Sequence, residues 1–175
     1  MTPQYIYFDT CAFMRYAEGS VSDATTRNKA GRARVQALID DASTVLATSE
    51  TTIIEFHDAL GKDARNGTLP TFDDGWVARS TDDLMGFIAG GRLNVLPSPP
   101  KAIESAVVLM RIAHGERGNP GVAFNAWDAV HLITASSWAI ELGNKVQLAT
   151  CDTDFPRFFG LFPHFETLVD ILMVV

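Results

Sequence analysis

The chain has 175 residues, which fits one domain of ordinary size, and its hydrophobic fraction of 47% is enough to build a core. No run of about 20 apolar residues marks a membrane span, and the N-terminus lacks the basic-then-apolar pattern of a secretory signal. The formal net charge of -7 argues against a protein that holds nucleic acid mainly through an overall positive field.

The cysteine content points to a reducing compartment. Only Cys11 and Cys151 are present, too few for a disulfide scaffold and too far apart for a zinc motif. We expect both to be small buried side chains with free thiols. With no repeat and no linker in the sequence, we predict a soluble, cytoplasmic protein with one domain over residues 1–175.

Strand and helix patterns alternate along the first half of the chain. Residues 5–8 predict a buried strand that ends at Asp9, and residues 10–17 can begin a helix. A helical pattern follows at about 24–41. After a predicted strand at 44–48, Ser49 is a plausible N-cap for a helix that ends at Asn66 and Gly67.

The second half continues the alternation. Its predicted elements are a loop at 67–75, a helix at about 76–90, a strand at 93–96, a helix at 101–116, a turn at 115–121, an apolar helix at about 124–142, a strand at 146–150 and a short last strand within 167–174. Strands that alternate with helices predict an α/β protein whose parallel sheet is covered on both faces.

Four acidic residues lie where they can meet at one edge of this sheet. Asp9 and Asp152 each follow a predicted strand, whereas Glu55 and Asp128 lie in helices at the same edge or pointing towards it. Ligands of open α/β sheets bind outside the carboxyl ends of the strands. Because carboxylates are the ligands that magnesium prefers, the pattern predicts a metal-holding cluster and therefore an enzyme.

Each of these acids also has a purely structural interpretation. Asp9 can be a helix N-cap, and Asp128 can simply follow the preference for acidic residues near a helix N-terminus. The periodicity around Glu55 is also that of an ordinary solvated helix face. Asp154 competes with Asp152 for the fourth position, and it can instead cap a helix or support its neighbour.

Four segments, in an order and at a spacing that cover nearly the whole chain, resemble the motifs of PIN-domain proteins and especially of VapC-like ribonuclease toxins. The segments are Ile6-Tyr7-Phe8-Asp9-Thr10, Thr51-Thr52-Ile53-Ile54-Glu55, Trp127-Asp128-Ala129-Val130-His131-Leu132-Ile133-Thr134-Ala135 and Leu148-Ala149-Thr150-Cys151-Asp152-Thr153-Asp154-Phe155. Each segment alone is common, but four in order are a specific signal.

The resemblance implies a three-layer α/β/α fold with a five-stranded parallel sheet in the order 3-2-1-4-5. It implies that Asp9, Glu55, Asp128 and Asp152 bind Mg²⁺ or Mn²⁺ and catalyse the endonucleolytic hydrolysis of RNA. It also implies a small antitoxin protein as partner and a homodimer. The chain is longer than compact toxins of this kind, with an extended segment at about 18–43 and an inserted loop and helix at about 67–90.

Several further residues are candidates for supporting roles. Thr10, Thr51 and Thr150 can orient carboxylates or bound water through their hydroxyl groups, although capping is an equal use. His131 follows Asp128 by three residues, but a histidine in an apolar helix is more often packed and hydrogen bonded than catalytic.

For contact with RNA phosphates, the sequence offers a basic stretch at 27–34, and then Lys62, Arg65 and Arg15. A solvated helix face explains the basic stretch equally well. Two other functions stay open: a phosphotransfer domain with Asp9 as nucleophile, and a nonenzymatic PIN-fold binding module. Phosphotransfer hydrolases favour a second aspartate where this chain has Cys11.

Overall fold

The computed structural model describes residues 3–67, 71–115 and 125–174. These residues form five β-strands, seven α-helices and one 3₁₀ helix. The strands are β1 (Gln4–Phe8), β2 (Thr44–Ser49), β3 (Leu93–Leu96), β4 (Val146–Thr150) and β5 (Val169–Met173). The helices are α1 (Thr10–Glu18), α2 (Thr26–Asp40), α3 (Glu50–Asn66), α4 (Asp74–Ala89), α5 (Ala102–Gly115), α6 (Ala126–Leu142) and α7 (Asp154–Leu161), and the 3₁₀ helix is Pro163–Thr167.

The strands form one parallel sheet in the order β3-β2-β1-β4-β5. β1 is the central strand: Tyr7 aligns with Ala47 on β2 and with Leu148 on β4. The predicted α/β class and the predicted strand order are confirmed. Because β1 and β4 are parallel neighbours, the residues that follow them lie side by side at the carboxyl edge of the sheet.

Helices cover both faces of the sheet, because successive strand side chains point to opposite faces. Ile6 and Phe8 pack into a core with side chains from α1, α2, α3 and α4. Tyr7 packs into a second core with side chains from α5, α6 and α7. The layers are therefore α/β/α, as predicted.

The two segments that lengthen the chain belong to the first of these cores. Val35 of α2 and Trp76 of α4 are almost completely buried there. The indole Nε1 of Trp76 donates to the carbonyl oxygen of Ala17 at 3.2 Å, and its ring stacks on Phe72 with ring centroids 4.0 Å apart. Both segments are thus structural parts of the fold.

Local signals define the ends of the two helices that carry Glu55 and Asp128. Ser49 caps α3 through a capping box with Thr52, and Gly67 ends α3 in the left-handed conformation with a φ of 59°. These bounds agree with the predicted ones. Asn125 and Asp128 form a second capping box, which begins α6 at Ala126.

Two short elements were not predicted from the sequence: α7 and the 3₁₀ helix. Their positions follow from the second core, in which Phe155, Phe158 and Phe165 are buried. The predicted turn at 115–121 and the predicted start of a helix at 124 fall almost entirely outside the described residues. Among the helices that the structure describes, none has the length and apolar character needed to cross a membrane.

Candidate active site

Asp9 leaves the central strand at the carboxyl edge of the sheet. Its backbone N–H donates to the carbonyl oxygen of Ala149, which continues the β1–β4 pairing. Its side chain is 3% exposed and caps α1, with Oδ1 accepting from the N–H of Ala12 at 3.0 Å. Burial raises the pKa of Asp9, although His131 and several hydrogen bonds oppose that shift. The N-cap role is therefore present, but it leaves a carboxylate buried at a cost.

Asp152 follows the neighbouring strand β4 and lies in the short segment before α7. Its N–H donates to Thr150 Oγ1 at 3.0 Å, and its Oδ1 accepts from the N–H of Asp154 at 2.7 Å. Asp154 itself pairs with Arg157 one turn along α7, with 3.1 Å between Oδ1 and Nη1. Asp152 is therefore held by hydrogen bonds with Thr150 and with the backbone of Asp154, whereas the Asp154 carboxylate pairs with Arg157 of α7.

Asp128 lies in the first turn of α6, not in the interior of that apolar helix. Its Oδ2 accepts from the N–H of Asn125 at 2.8 Å, as a capping box requires. Burial raises the pKa of Asp128 to about 7; the Asn125 hydrogen bond opposes the shift, while the charge of Asp152 and the weaker one of Asp9 add to it. Asp9 and Asp152 are therefore close enough to Asp128 for their charges to act on its carboxyl group.

Glu55 joins this site through a different set of contacts. Its Oε2 accepts a hydrogen bond from Thr10 Oγ1 and lies 3.0 Å from Nε2 of His131. Partial burial alone would raise the pKa of Glu55, but the hydrogen bonds from His131 and Thr10 outweigh it, so the pKa lies below its ordinary value. Glu55 is therefore an ionised carboxylate with a fixed orientation.

A buried polar network lies beneath Glu55, and sequence reasoning did not anticipate it. The Tyr7 hydroxyl lies 3.0 Å from His131 Nδ1 and donates to Ser49 Oγ at 2.9 Å, and Thr52 completes the group. Burial raises the pKa of Tyr7, so its hydroxyl stays protonated. The prediction that His131 is packed and hydrogen bonded is correct, but its partner Glu55 gives it a place at the site. The sequence signal for this network was Tyr7, because a hydroxyl group in a buried strand needs hydrogen-bond partners.

The two cysteines flank Asp9, and they are partly exposed rather than fully buried. Cys11 Sγ donates to Asp9, with 3.1 Å to Oδ1 and 3.3 Å to Oδ2, and accepts from the N–H of Cys151 at 2.8 Å. Burial raises the pKa of Cys11, and the interaction with the Cys11 thiol lowers the pKa of Cys151. Both thiols are free, as predicted.

The remaining supporting candidates divide into two kinds. Thr10 contacts Glu55, and Thr150 contacts Cys11 and Asp152, so both touch the site. Thr51 Oγ1 instead lies 3.1 Å from Ser98 Oγ and ties α3 to the segment after β3. Thr51 therefore has a structural contact and none with the four acids among the described residues.

The basic residues predicted to contact RNA differ in how free they are. Arg32 donates to the Tyr16 carbonyl oxygen at 2.9 Å and stacks over the Tyr16 ring, and Arg15 is bonded to Glu18 and Asn28. Both side chains therefore already have partners, and these contacts link α1 with α2. The other predicted contacts, Arg27, Lys29, Arg34, Lys62 and Arg65, are exposed, and Lys29 Nζ donates to the carbonyl oxygen of Ser22 at 3.1 Å.

The four predicted acids thus lie at one edge of the sheet, and their oxygen donors are of the type that hard divalent cations bind. None of the three aspartates forms an ion pair with lysine or arginine within the described ranges. Over the same ranges, no three histidine, cysteine or acidic side chains are close enough to form a closed metal-binding group. The donors fit a divalent cation in kind, but they do not form a preassembled ligand shell.

No protein-family model and no curated protein matches the sequence. Solved structures do match it along nearly its whole length. The FitAB complex bound to the IR36 DNA fragment is 17% identical with a TM-score of 0.55, over 97% of this chain and 94% of that chain. VapBC-5 from Mycobacterium tuberculosis, a member of the VapBC toxin-antitoxin family, is 19% identical with a TM-score of 0.53, over 98% and 99%. VapBC2 from Rickettsia felis, bound to a DNA fragment from its promoter, is 14% identical with a TM-score of 0.54, over 96% and 98%.

These similarities establish the fold. The three-layer α/β/α fold and the strand order that the resemblance implied are therefore confirmed.

Proposed function

We propose that the protein is a Mg²⁺- or Mn²⁺-dependent endoribonuclease and acts as the toxin of a toxin-antitoxin pair. One observation supports this most directly: Asp9, Asp128 and Asp152 come from three distant parts of the chain, and burial of Asp128, together with the charges of Asp152 and Asp9, raises the pKa of Asp128. Carboxylates that repel one another in a partly buried site are expected to bind a cation, since a cation removes the repulsion.

The metal ligands in this proposal are Asp9, Glu55, Asp128 and Asp152. A bound divalent cation would supply a nucleophile from water and would stabilise charge on the phosphate. Magnesium keeps several water ligands and needs only one or two carboxylates directly. An open arrangement of acids is therefore compatible with such a site.

The protein's own residues hold these carboxylates in place. Ala12 N–H and Cys11 orient Asp9, and Asn125 N–H orients Asp128. His131 and Thr10 together orient Glu55. These contacts orient the individual carboxylates, and a bound cation would draw them together into a ligand set.

We propose an antitoxin partner from two of the similar structures. VapBC-5 is named as a member of the VapBC family of toxin-antitoxin systems, and the second structure is named VapBC2. This antitoxin would be a small protein, and two copies of the present chain would form a homodimer. Size-exclusion chromatography with light scattering tests the homodimer, because a monomer mass at micromolar concentration would contradict it.

The central experiment compares RNA cleavage by the purified protein with Mg²⁺, with Mn²⁺ and with EDTA. We expect cleavage only with a metal, and we expect Asp9→Asn to abolish it. Asp73→Asn is the matched control, because Asp73 also caps a helix and accepts an N–H, from Trp76 at 2.7 Å. Cleavage by Asp9→Asn at the wild-type rate would overturn the proposal, whereas failure to bind Mg²⁺ or cut RNA would favour a nonenzymatic binding module.

The phosphotransfer alternative is tested with the same protein. Incubation with an acyl-phosphate donor is expected to leave no labile adduct on Asp9, because Cys11 stands where phosphotransfer hydrolases favour a second aspartate. A phosphorylated Asp9 would favour that alternative.

A further inference from the structure

We propose that Cys11 and Cys151 form a reversible intramolecular disulfide that disables the acidic site, an inference whose functional part rests on the proposed nuclease activity. The chain has no other cysteine. The pair is therefore a defined modification site, and a low-molecular-weight disulfide is the chemical class of its reaction partner.

The two residues already make reciprocal contacts. Cys11 Sγ lies 2.8 Å from the backbone nitrogen of Cys151, and Cys151 Sγ donates to the carbonyl oxygen of Cys11 at 3.3 Å. Each side chain thus reaches the backbone of the other residue. Cys11 lies in the first turn of α1, which follows β1, and Cys151 follows β4, the strand that pairs with β1. A disulfide needs Cα atoms about 4.4–6.8 Å apart, and a sulfur only 2.8 Å from the backbone nitrogen of the other cysteine is compatible with that separation.

Both cysteines are half-buried residues and not part of the closed core, so the pair lies near enough to the surface for a small oxidant to react with it. Bridges in reducing compartments are usually transient and redox sensing, in contrast to the permanent bridges of secreted proteins. A pair that is adjacent yet unbridged is the arrangement that such a reversible reaction needs.

The pair is linked directly to the carboxylates. The Cys11 thiol donates to both oxygens of Asp9, at 3.1 and 3.3 Å, and Cys151 directly precedes Asp152. Bridging removes the Cys11 S–H donor and draws its sulfur towards Cys151. Asp9 then loses one of the groups that orient it, and the segment that carries Asp152 becomes covalently joined to α1.

The reaction is a balanced exchange. One protein thiolate attacks a sulfur of the small disulfide and releases one small thiol, which takes up the proton. The second protein thiol attacks the mixed disulfide and releases the second small thiol. Two protein S–H bonds and one S–S bond are consumed, and one protein S–S bond and two small thiols are formed.

The first test asks whether the bridge forms. Wild-type protein is incubated with oxidised glutathione and EDTA, treated with iodoacetamide and measured by intact mass spectrometry. We expect a loss of two hydrogen masses, no alkylation, no covalent dimer and reversal by dithiothreitol. Cys11→Ser and Cys151→Ser are matched controls, and each should carry one glutathione or one alkyl group. Two alkylated thiols, two glutathione adducts or a covalent dimer in the wild-type protein would overturn the proposal.

The second test asks whether the bridge acts on the site. Mg²⁺ affinity and RNA cleavage are compared between oxidised and reduced samples of the same protein. We expect both to fall by about 10- to 100-fold on oxidation, the range for lost partners of metal ligands. In the two serine variants, molecules that mass spectrometry shows to be free of glutathione should give the same values before and after the oxidising treatment. Equal values in the two redox states would overturn the switch. If the bridge forms and Mg²⁺ affinity falls while reduced protein cuts no RNA, the redox site stands and the proposed nuclease fails.

Discussion

Nε2 of His131 lies 3.0 Å from Oε2 of Glu55, although 76 positions separate the two residues in the chain. The His131 side chain is 2% exposed and the Glu55 side chain 26%. Thr10 donates to the same carboxylate oxygen. Helices α1 and α6 thus fix the direction of a carboxylate on α3, and this contact places Glu55 in the site.

Replacing His131 tests that role. We expect His131→Ala to lower the free energy of unfolding by about 1–3 kcal/mol, because it leaves the buried Tyr7 hydroxyl with one partner fewer. RNA cleavage should fall by about 10- to 100-fold, since Glu55 loses its orienting partner. Urea unfolding and an initial-rate assay measure the two effects. His57→Ala on the exposed side of α3 is the control, and an equal loss in both variants would contradict the role.

The ionisation of Asp128 predicts how stability depends on pH in metal-free protein. Its pKa rises from an ordinary value of 3.8 to about 7 in the folded state. Between these values the folded state binds more protons than the unfolded state, so stability falls as pH rises. We expect Asp128 to contribute a loss of about 2–4 kcal/mol between pH 4 and pH 8.

Urea unfolding in EDTA at several pH values measures this contribution. Asp128→Asn keeps an oxygen that can accept from Asn125 but removes the charge, so its stability should decline less over the same pH range. Parallel profiles for the two proteins would show that Asp128 ionises normally.

Metal addition should reverse the same repulsion. At pH 8 we expect Mg²⁺ to raise the melting temperature, with a stabilisation of about 2.7 kcal/mol at a concentration 100 times the dissociation constant. The gain should be smaller at pH 5.5. At that pH Asp128 is mostly protonated, and the proton competes with Mg²⁺ for the carboxylate. Differential scanning fluorimetry measures both. Asp9→Asn should reduce the gain and Asp73→Asn should not; a gain independent of Asp9 would place the ion elsewhere.

Arg92 provides a prediction about the fold itself. Its guanidinium donates to the carbonyl oxygens of Leu38 at 3.0 Å, Thr44 at 2.9 Å and Asp41 at 2.5 Å, around the end of α2. Carbonyl groups at a helix end have no partner inside the helix, and a cation there is favourable.

We therefore expect Arg92→Ala to lower the free energy of unfolding by about 1.5–3 kcal/mol in a urea titration. Arg92→Lys should recover little, because one ammonium group cannot reproduce the planar set of donors. Arg34→Ala, on the exposed face of α2, should change stability by less than about 0.5 kcal/mol. Full stability of Arg92→Ala would contradict this role.

Local sequence signals sufficed to predict the framework. The apolar run before Asp9 and the cap at Ser49 predicted a strand end and a helix start that the structure has within one residue. Both signals act over a few neighbouring residues, so they can be recognised without tertiary contacts. The same locality explains why Asp9 and Asp152 could be placed at one edge of the sheet.

Contacts between distant buried polar groups could not be predicted in this way. The link from His131 to Glu55 and the group around Tyr7 depend on how α3 and α6 pack across the sheet. Cys11 and Cys151 were expected as small buried thiols, and their reciprocal contacts could not be predicted because they depend on how α1 packs beside the end of β4. Helix α7 escaped notice because Thr153, before it, provides no capping hydrogen bond.

The central position of β1 has a consequence for the order in which the protein is made. Ile6 is synthesised well before its partner Gln147, which follows it by 141 residues in the chain. Until β4 has been made, β1 has a partner strand only on the β2 side. Pairings between strands so far apart in the chain also form slowly. An interrupted translation product that stops before β4 lacks Asp152 and cannot assemble the acidic edge. If the protein cuts RNA, its synthesis would expose the host to that activity only after β4 and Asp152 have been translated.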